Sequence, residues 1–207
     1  MESRLLNRLG EWNPQLFREL KGRLKPRNLG IAAAISLVGQ ALVYLYYKSL
    51  LPTEEGVNRY CTGSLPSGLE NSSYYSRNFC IKDLLGNWMV IKELWWLDLF
   101  IGMSVIGIFA LLVVGTHLLI ADLSREERRG TLNFLRLSPQ SAKSILLGKM
   151  LGVPILLYIV GLLALPLHLG AGLAAHIPLS LILSFYGVAI ASCFFFYSAA
   201  LLYGLVS

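Results

Sequence analysis

LFIGMSVIGIFALLVVGTHLLIA, residues 99–121, runs without a single charge between Asp98 and Asp122. A helix needs about 20 predominantly apolar residues to cross the hydrocarbon of a bilayer, so this stretch alone is long enough to do so. Three further runs are comparable: 29–47, 150–167 and 177–206. The whole chain is 55% hydrophobic and 14% charged, where soluble domains carry about 25% charged residues, and its mean hydropathy is +0.59. The expected fold is all-α, a polytopic transmembrane helical bundle of about four spans. The net charge of +6 does not argue for nucleic acid. The basic residues gather at the ends of the apolar runs, where they anchor to the headgroups of membrane lipids.

The loops set the orientation. Residues 1–28 hold Arg4, Arg8, Arg18, Lys21, Arg23, Lys25 and Arg27, and the loop 122–149 holds Arg125, Arg128, Arg129, Arg136, Lys143 and Lys149. The loop 48–98 is acidic beyond Lys48, with Glu54, Glu55, Glu70, Asp83, Glu93 and Asp98 against Arg59, Arg77, Lys82 and Lys92. The short connection 168–176 has neither Lys nor Arg. By the positive-inside rule the N-terminus and 122–149 are cytoplasmic and 48–98 is outside. The expected organisation is an amphipathic segment, 1–28, and a transmembrane domain, 29–207, in the plasma (inner) membrane.

Asn13 is suited to cap a helix opened by Pro14, with Leu16, Phe17, Leu20 and Leu24 on one stripe and basic residues off it, the pattern of an interfacial helix. No signal-peptide cleavage pattern follows the first apolar run. In the outer loop, Cys61 and Cys80 stand on the oxidising side, where a disulfide is expected and two free thiols are the alternative. Trp88, Trp95 and Trp96 fit an interfacial belt. Asn71-Ser72-Ser73 matches a glycosylation acceptor, a common triplet. Cys193 reads as a small packing residue. Pro154 predicts a kink in the third span, and Pro166 and Pro178 are expected to bracket a turn containing His168, Gly170, Gly172 and His176.

The segment 124–149, SREERRGTLNFLRLSPQSAKSILLGK, is the densely charged stretch between two apolar runs. Ser124 and Glu127 have the spacing of a capping box, and Glu126 and Glu127 would lie in the first turn, where the helix dipole favours acids. Leu132 and Leu135 share a face, Gly130 interrupts, and Ser138-Pro139 ends this helix and starts the next. A merely topogenic loop needs neither cap nor apolar face. A helix that docks in a partner's groove uses both.

Glu127-Arg128-Arg129-Gly130-Thr131-Leu132, then Leu135, Leu137-Ser138-Pro139 and Leu147-Gly148-Lys149, resembles the cytoplasmic loop of ABC type-2 (exporter-like) permeases, and Asn13-Pro14 with its basic helix resembles that family's N-terminal elbow. The resemblance implies a coupling helix at 124–137 that docks on a separate ATPase subunit. Glu126, Glu127 and Arg128 would make polar contacts there, Leu132 and Leu135 would seat the helix, and Gly130, Thr131, Ser138 and Pro139 would shape the approach. It further implies a dimer with a second permease copy or paralogue, ATP bound by the partner rather than by this chain, and export as the activity. The family usually has six spans. With four here and no charged residue after Lys149, the expectation is a chain truncated after its fourth span.

No P-loop occurs, and no H-E-x-x-H, G-x-S-x-G or C-x-x-C. His117 has no partner at helical spacing and reads as an interfacial histidine. His168 and His176 read as exposed residues flanking the outer turn. No metal, cofactor or catalytic residue is expected. Gln40 is the polar residue of the first span taken as a pathway candidate. Two rival readings stand beside the permease: a non-transporting membrane anchor or scaffold that recruits a cytoplasmic protein, and a membrane-embedded enzyme using His117, His168 or His176.

Overall fold

The computed structural model describes residues 12–63, 78–130 and 141–206. Helix α1 (Pro14–Arg23) starts where Asn13 Oδ1 accepts the Leu16 N–H at 3.0 Å, with Pro14 at its first position. Helix α2 (Pro26–Ser49) follows at once. A connecting segment holds strands β1 (Val57–Asn58) and β2 (Asn78–Phe79), paired antiparallel with Val57 opposite Phe79. Then come α3 (Lys92–Phe109), a π-helical turn (Ala110–Val114) and α4 (Gly115–Arg128). Helices α5 (Ala142–Gly152), α6 (Ile155–Ala174) and α7 (Leu179–Val206) complete the described chain.

The chain is all-α apart from that short pairing. Four helical runs, Pro26–Ser49, Lys92–Arg128, Ile155–Ala174 and Leu179–Gly204, are long and apolar enough to cross a membrane. This is the architecture of a multi-pass membrane protein, and large apolar side chains such as Leu37, Val105, Leu162 and Phe195 lie exposed along these runs.

Several expectations are corrected. The second span and the charged stretch are one unbroken helix of 37 residues, Lys92–Arg128, so Ser124 lies inside α4 and forms no capping box with Glu127. Nothing between Ala121 and Arg128 breaks a helix, and Leu119 and Leu123, four apart and both buried, carry one packing face across the expected boundary. The stop is Gly130. Its φ of 70° is left-handed, and its N–H bonds to the Glu127 carbonyl at 2.9 Å, so it closes α4 rather than interrupting a helix.

Pro154 does more than kink the third span. It ends α5 and opens α6 after a turn at 153–154. Pro166 brackets no turn but lies within α6, which continues to Ala174. Beyond the proline the helix is closely packed: a Cβ on Gly172 would meet Ile182 Cδ1 at 2.8 Å and the Phe100 ring at 3.0 Å. The helix stops at His176, whose φ is 58°. The Ile177 N–H reaches the Gly172 carbonyl and the His176 N–H that of Leu173, both at 3.0 Å, which is a Schellman ending with histidine where glycine is usual.

The chain forms two compact units. One comprises Met1–Leu37, Val105–Leu165 and Leu183–Ser207. Its core gathers Leu119, Leu123, Met150, Val153, Tyr197 and Leu201. The other comprises Val38–Ser104 and Pro166–Ile182, with Tyr60, Trp95, Leu99 and Ala171 at its centre. In this second unit Cys61 and Cys80 form a disulfide. The Tyr60 hydroxyl donates to Asp98 Oδ2 at 2.7 Å, Arg59 to Asp98 Oδ1 at 3.1 Å, and Trp95 Nε1 to the Tyr47 carbonyl at 2.8 Å. The loop is thereby fastened to the first turns of α3.

Candidate functional site

The charged residues of the first unit assemble where α1, α4 and α5 meet. Helix α1 lies against α5 because α5 offers two glycines one turn apart. A Cβ on Gly148 would stand 2.9 Å from Gln15 Cβ and from the Leu16 nitrogen, and one on Gly152 would stand 2.5 Å from Glu19 Cβ. Asn13, having capped α1, also donates through Nδ2 to the Ser144 carbonyl at 2.8 Å. Leu16 is the one member of the expected apolar stripe that is fully buried, and Asn13 and Gln15 are buried with it, so this face of α1 is committed to protein.

That close approach brings Glu19 to Lys149. The ammonium is 4% exposed and meets three carboxylates: Asp122 Oδ2 at 2.7 Å, Glu126 Oε2 at 2.8 Å and Glu19 Oε1 at 3.4 Å. Arg23 closes the ring, with Nη2 at 2.6 Å from Asp122 Oδ1 and Nε at 3.2 Å from Glu19 Oε2. Burial by itself lowers the pKa of the Lys149 ammonium. The hydrogen bonds it donates to Asp122 and Glu126, with the charges of Asp122 and Glu19, outweigh that and leave it raised above the ordinary lysine value. The three carboxylates lie within 4.8 Å of one another, a spacing that would suit a metal ion. The lysine occupies that role with its own charge. Three acids against two bases leave one negative charge in excess.

The expected partner contacts divide. Glu126 turns inward to Lys149, while Glu127, Arg128 and Gly130 are exposed at the end of α4. Thr131, Leu132, Leu135, Ser138 and Pro139 lie outside the described residues. Gln40 is half-buried in α2, but the fully buried polar residue of that helix is Ser36, whose hydroxyl donates to the Val160 carbonyl at 2.9 Å. Glu19, Arg23, Asp122 and Lys149 were not singled out as site residues. One signal was present: Asp122 and Glu126 are like charges one turn apart, an arrangement that is unfavourable alone and asks for a cation from elsewhere.

The histidines separate too. His117 is exposed on α4. His176 is exposed and ends α6. His168, expected at the surface, is buried in α6 at 6% exposure, against the Phe100 ring at 4.3 Å between centroids. Its Nε2 is 2.8 Å from Ser104 Oγ, and that hydroxyl donates to the Phe100 carbonyl at 2.8 Å.

Between α3 and α4 the π turn is held by Tyr197. Its hydroxyl donates to the Leu111 carbonyl at 2.6 Å, which also accepts the Gly115 N–H, and the ring lies over Gly115 where a Cβ would overlap the phenol oxygen. No family model, curated protein or solved structure matches the chain.

Proposed function

We propose that the chain is the membrane-spanning permease subunit of an ABC type-2 transporter, working in the plasma membrane with its N-terminus cytoplasmic. A separate ATPase docks at the end of α4, and a second permease subunit completes the transporter. The reading rests on the sequence pattern from Glu126 to Lys149. One structural observation carries it further: the buried ring of Lys149, Arg23, Glu19, Asp122 and Glu126 ties the helix that ends in that pattern to α1 and to α5. A push on residues 129–140 is then passed to the helix preceding the first span and to the one leading into the third. The chain itself catalyses nothing in this scheme. ATP does work only through a difference in its affinity for the partner's two states, and the ring is what keeps α4 from yielding locally.

The test is co-purification of the tagged chain from its native membrane, followed by ATPase activity of the recovered complex in proteoliposomes. An ABC ATPase should accompany the chain, and Glu127→Lys should remove it while membrane insertion and the disulfide persist. Glu127 is exposed and outside the ring, so the substitution leaves the fold alone. If no ATPase is recovered, or if Glu127→Lys retains it in full, the permease reading falls. A different cytoplasmic protein recovered in its place would mark the chain as an anchor.

A further inference from the structure

The turn between Lys82 and Trp88 presents two leucines that stand almost wholly clear of the described residues. Leu84 is 106% and Leu85 86% exposed. The turn that displays them is closed by its own hydrogen bonds. Asp83 Oδ1 accepts the N–H groups of Leu85 and Asn87 at 2.9 and 2.8 Å, the Asp83 N–H reaches the Asn87 carbonyl at 2.9 Å, and Gly86 takes the left-handed φ of 80° that the corner needs. Its arms are held as well. Lys82 bridges Trp88, the Met89 N–H bonds to the Ile81 carbonyl, and Val90 bridges Cys61 of the disulfide. The leucines are therefore held out by a built element, with the half-exposed Ile81 and Met89 extending the apolar surface below them.

What covers this tip follows from its place in the chain. The segment leaves one membrane-length helix at Ser49 and enters the next at Lys92. From Leu84 to Lys92 the backbone can reach at most about 29 Å even if fully extended, so the surface of the bilayer is the apolar phase within range. At the base of the turn the Lys82 ammonium lies 4.5 Å over the Trp88 ring. Tryptophan and lysine are the side chains that settle at headgroup level, the ring at the boundary and the ammonium reaching for water. Lys82 also pairs with Glu55 at 4.0 Å and Asp83 is taken up by the N–H groups of the turn, so both charges are answered within the segment rather than offered to a charged protein. We propose that this turn is a wedge in the lipid interface, with Leu84 and Leu85 entering the acyl boundary and Lys82 and Trp88 marking the headgroups. The proposal depends on the chain crossing a membrane and not on the transporter reading.

An environment-sensitive fluorophore attached to the L85C chain in phosphatidylcholine vesicles tests it, with the label on the E54C chain, at an exposed acidic site of the same segment, as the reference. Iodide in the buffer should quench the reference label and spare the label in the turn. A doxyl group near the headgroup end of the acyl chain should quench the turn label and spare the reference. Iodide quenching of both labels alike would show a solvated turn and overturn the proposal. So would protection of the turn label from both quenchers, which would mean that protein, a second copy included, covers it. The leucine side chains are almost fully exposed, and retention of the Cys61–Cys80 disulfide on a non-reducing gel confirms that the labelled chains are folded.

Discussion

Lys149 puts one ammonium among three carboxylates, and its removal would leave those carboxylates facing each other with Arg23 alone. Breaking a buried ion pair from one side costs about 3–5 kcal/mol, so Lys149→Met should lower the unfolding midpoint in detergent strongly. The same substitution made with Glu126→Gln and Glu19→Gln should recover part of the loss. The pH dependence has a definite sign. A folded-state pKa raised above the ordinary lysine value means that the native chain holds its proton where the unfolded chain has released it. The stability from this site is complete below about pH 10.5 and is lost as pH rises through the folded value. Tyr60 acts in the same direction, its pKa raised by burial and then by the hydrogen bond to Asp98. Thermal melts from pH 7 to 11 should therefore be flat in their contribution from these two groups up to about pH 10 and decline beyond it. A contribution from Lys149 that grew with pH would contradict the geometry of the ring. Sequence reading reached Glu126 but aimed it outward, because the partner that turns it inward comes from a helix 23 residues further on. Side-chain spacing along one helix cannot report such a neighbour.

Elements were legible where local chemistry sets them and illegible where packing does. The Asn13-Pro14 start of α1 is a local device, written in two adjacent residues, and the structure uses it. The turn expected at Pro166 was read from an equally local rule, yet α6 runs through that proline to Ala174 and is closely packed at Gly172 beyond it. Its true ending at His176 carries no glycine and is announced by Pro178, two residues on. That ending gives a test: glycine ordinarily weakens helices, but at a left-handed position it relieves the cost of a side chain, roughly 1–2 kcal/mol. His176→Gly should be neutral or stabilising, read as an unchanged or higher unfolding midpoint. A clear loss of stability would mean that the imidazole is needed for more than its backbone position. Ser124 repeats the lesson from the other side. It has the residue type and spacing of a cap, and buried Leu119 and Leu123 carry the helix straight past it.

The four membrane-length runs were legible across the whole chain because a bilayer acts on length and apolarity alone, which composition records directly. The division into two units was not, since each of the four membrane-length runs contributes to both and the boundaries fall inside helices. In the unit that holds the disulfide, the cross-link closes a segment of 19 residues in sequence separation. Restricting the unfolded chain over such a length is worth about 3 kcal/mol. Cys61→Ser with Cys80→Ser should lower the unfolding midpoint by a corresponding amount, with dithiothreitol reproducing the effect in the unaltered chain and having none in the double variant. The π turn at Ala110–Val114 has a consequence for this scale. A π turn is the footprint of a single added residue, and an α-helix advances by about 100° per residue. Winding this turn as regular α-helix with every residue kept would swing everything after it by about that angle and carry Asp122 and Glu126 off the axis of Lys149, whereas excising the added residue would restore a regular helix with both acids in place. The bulge thus works as an indexing pin: the register of this helix's charged end is set half a membrane away from the charges themselves.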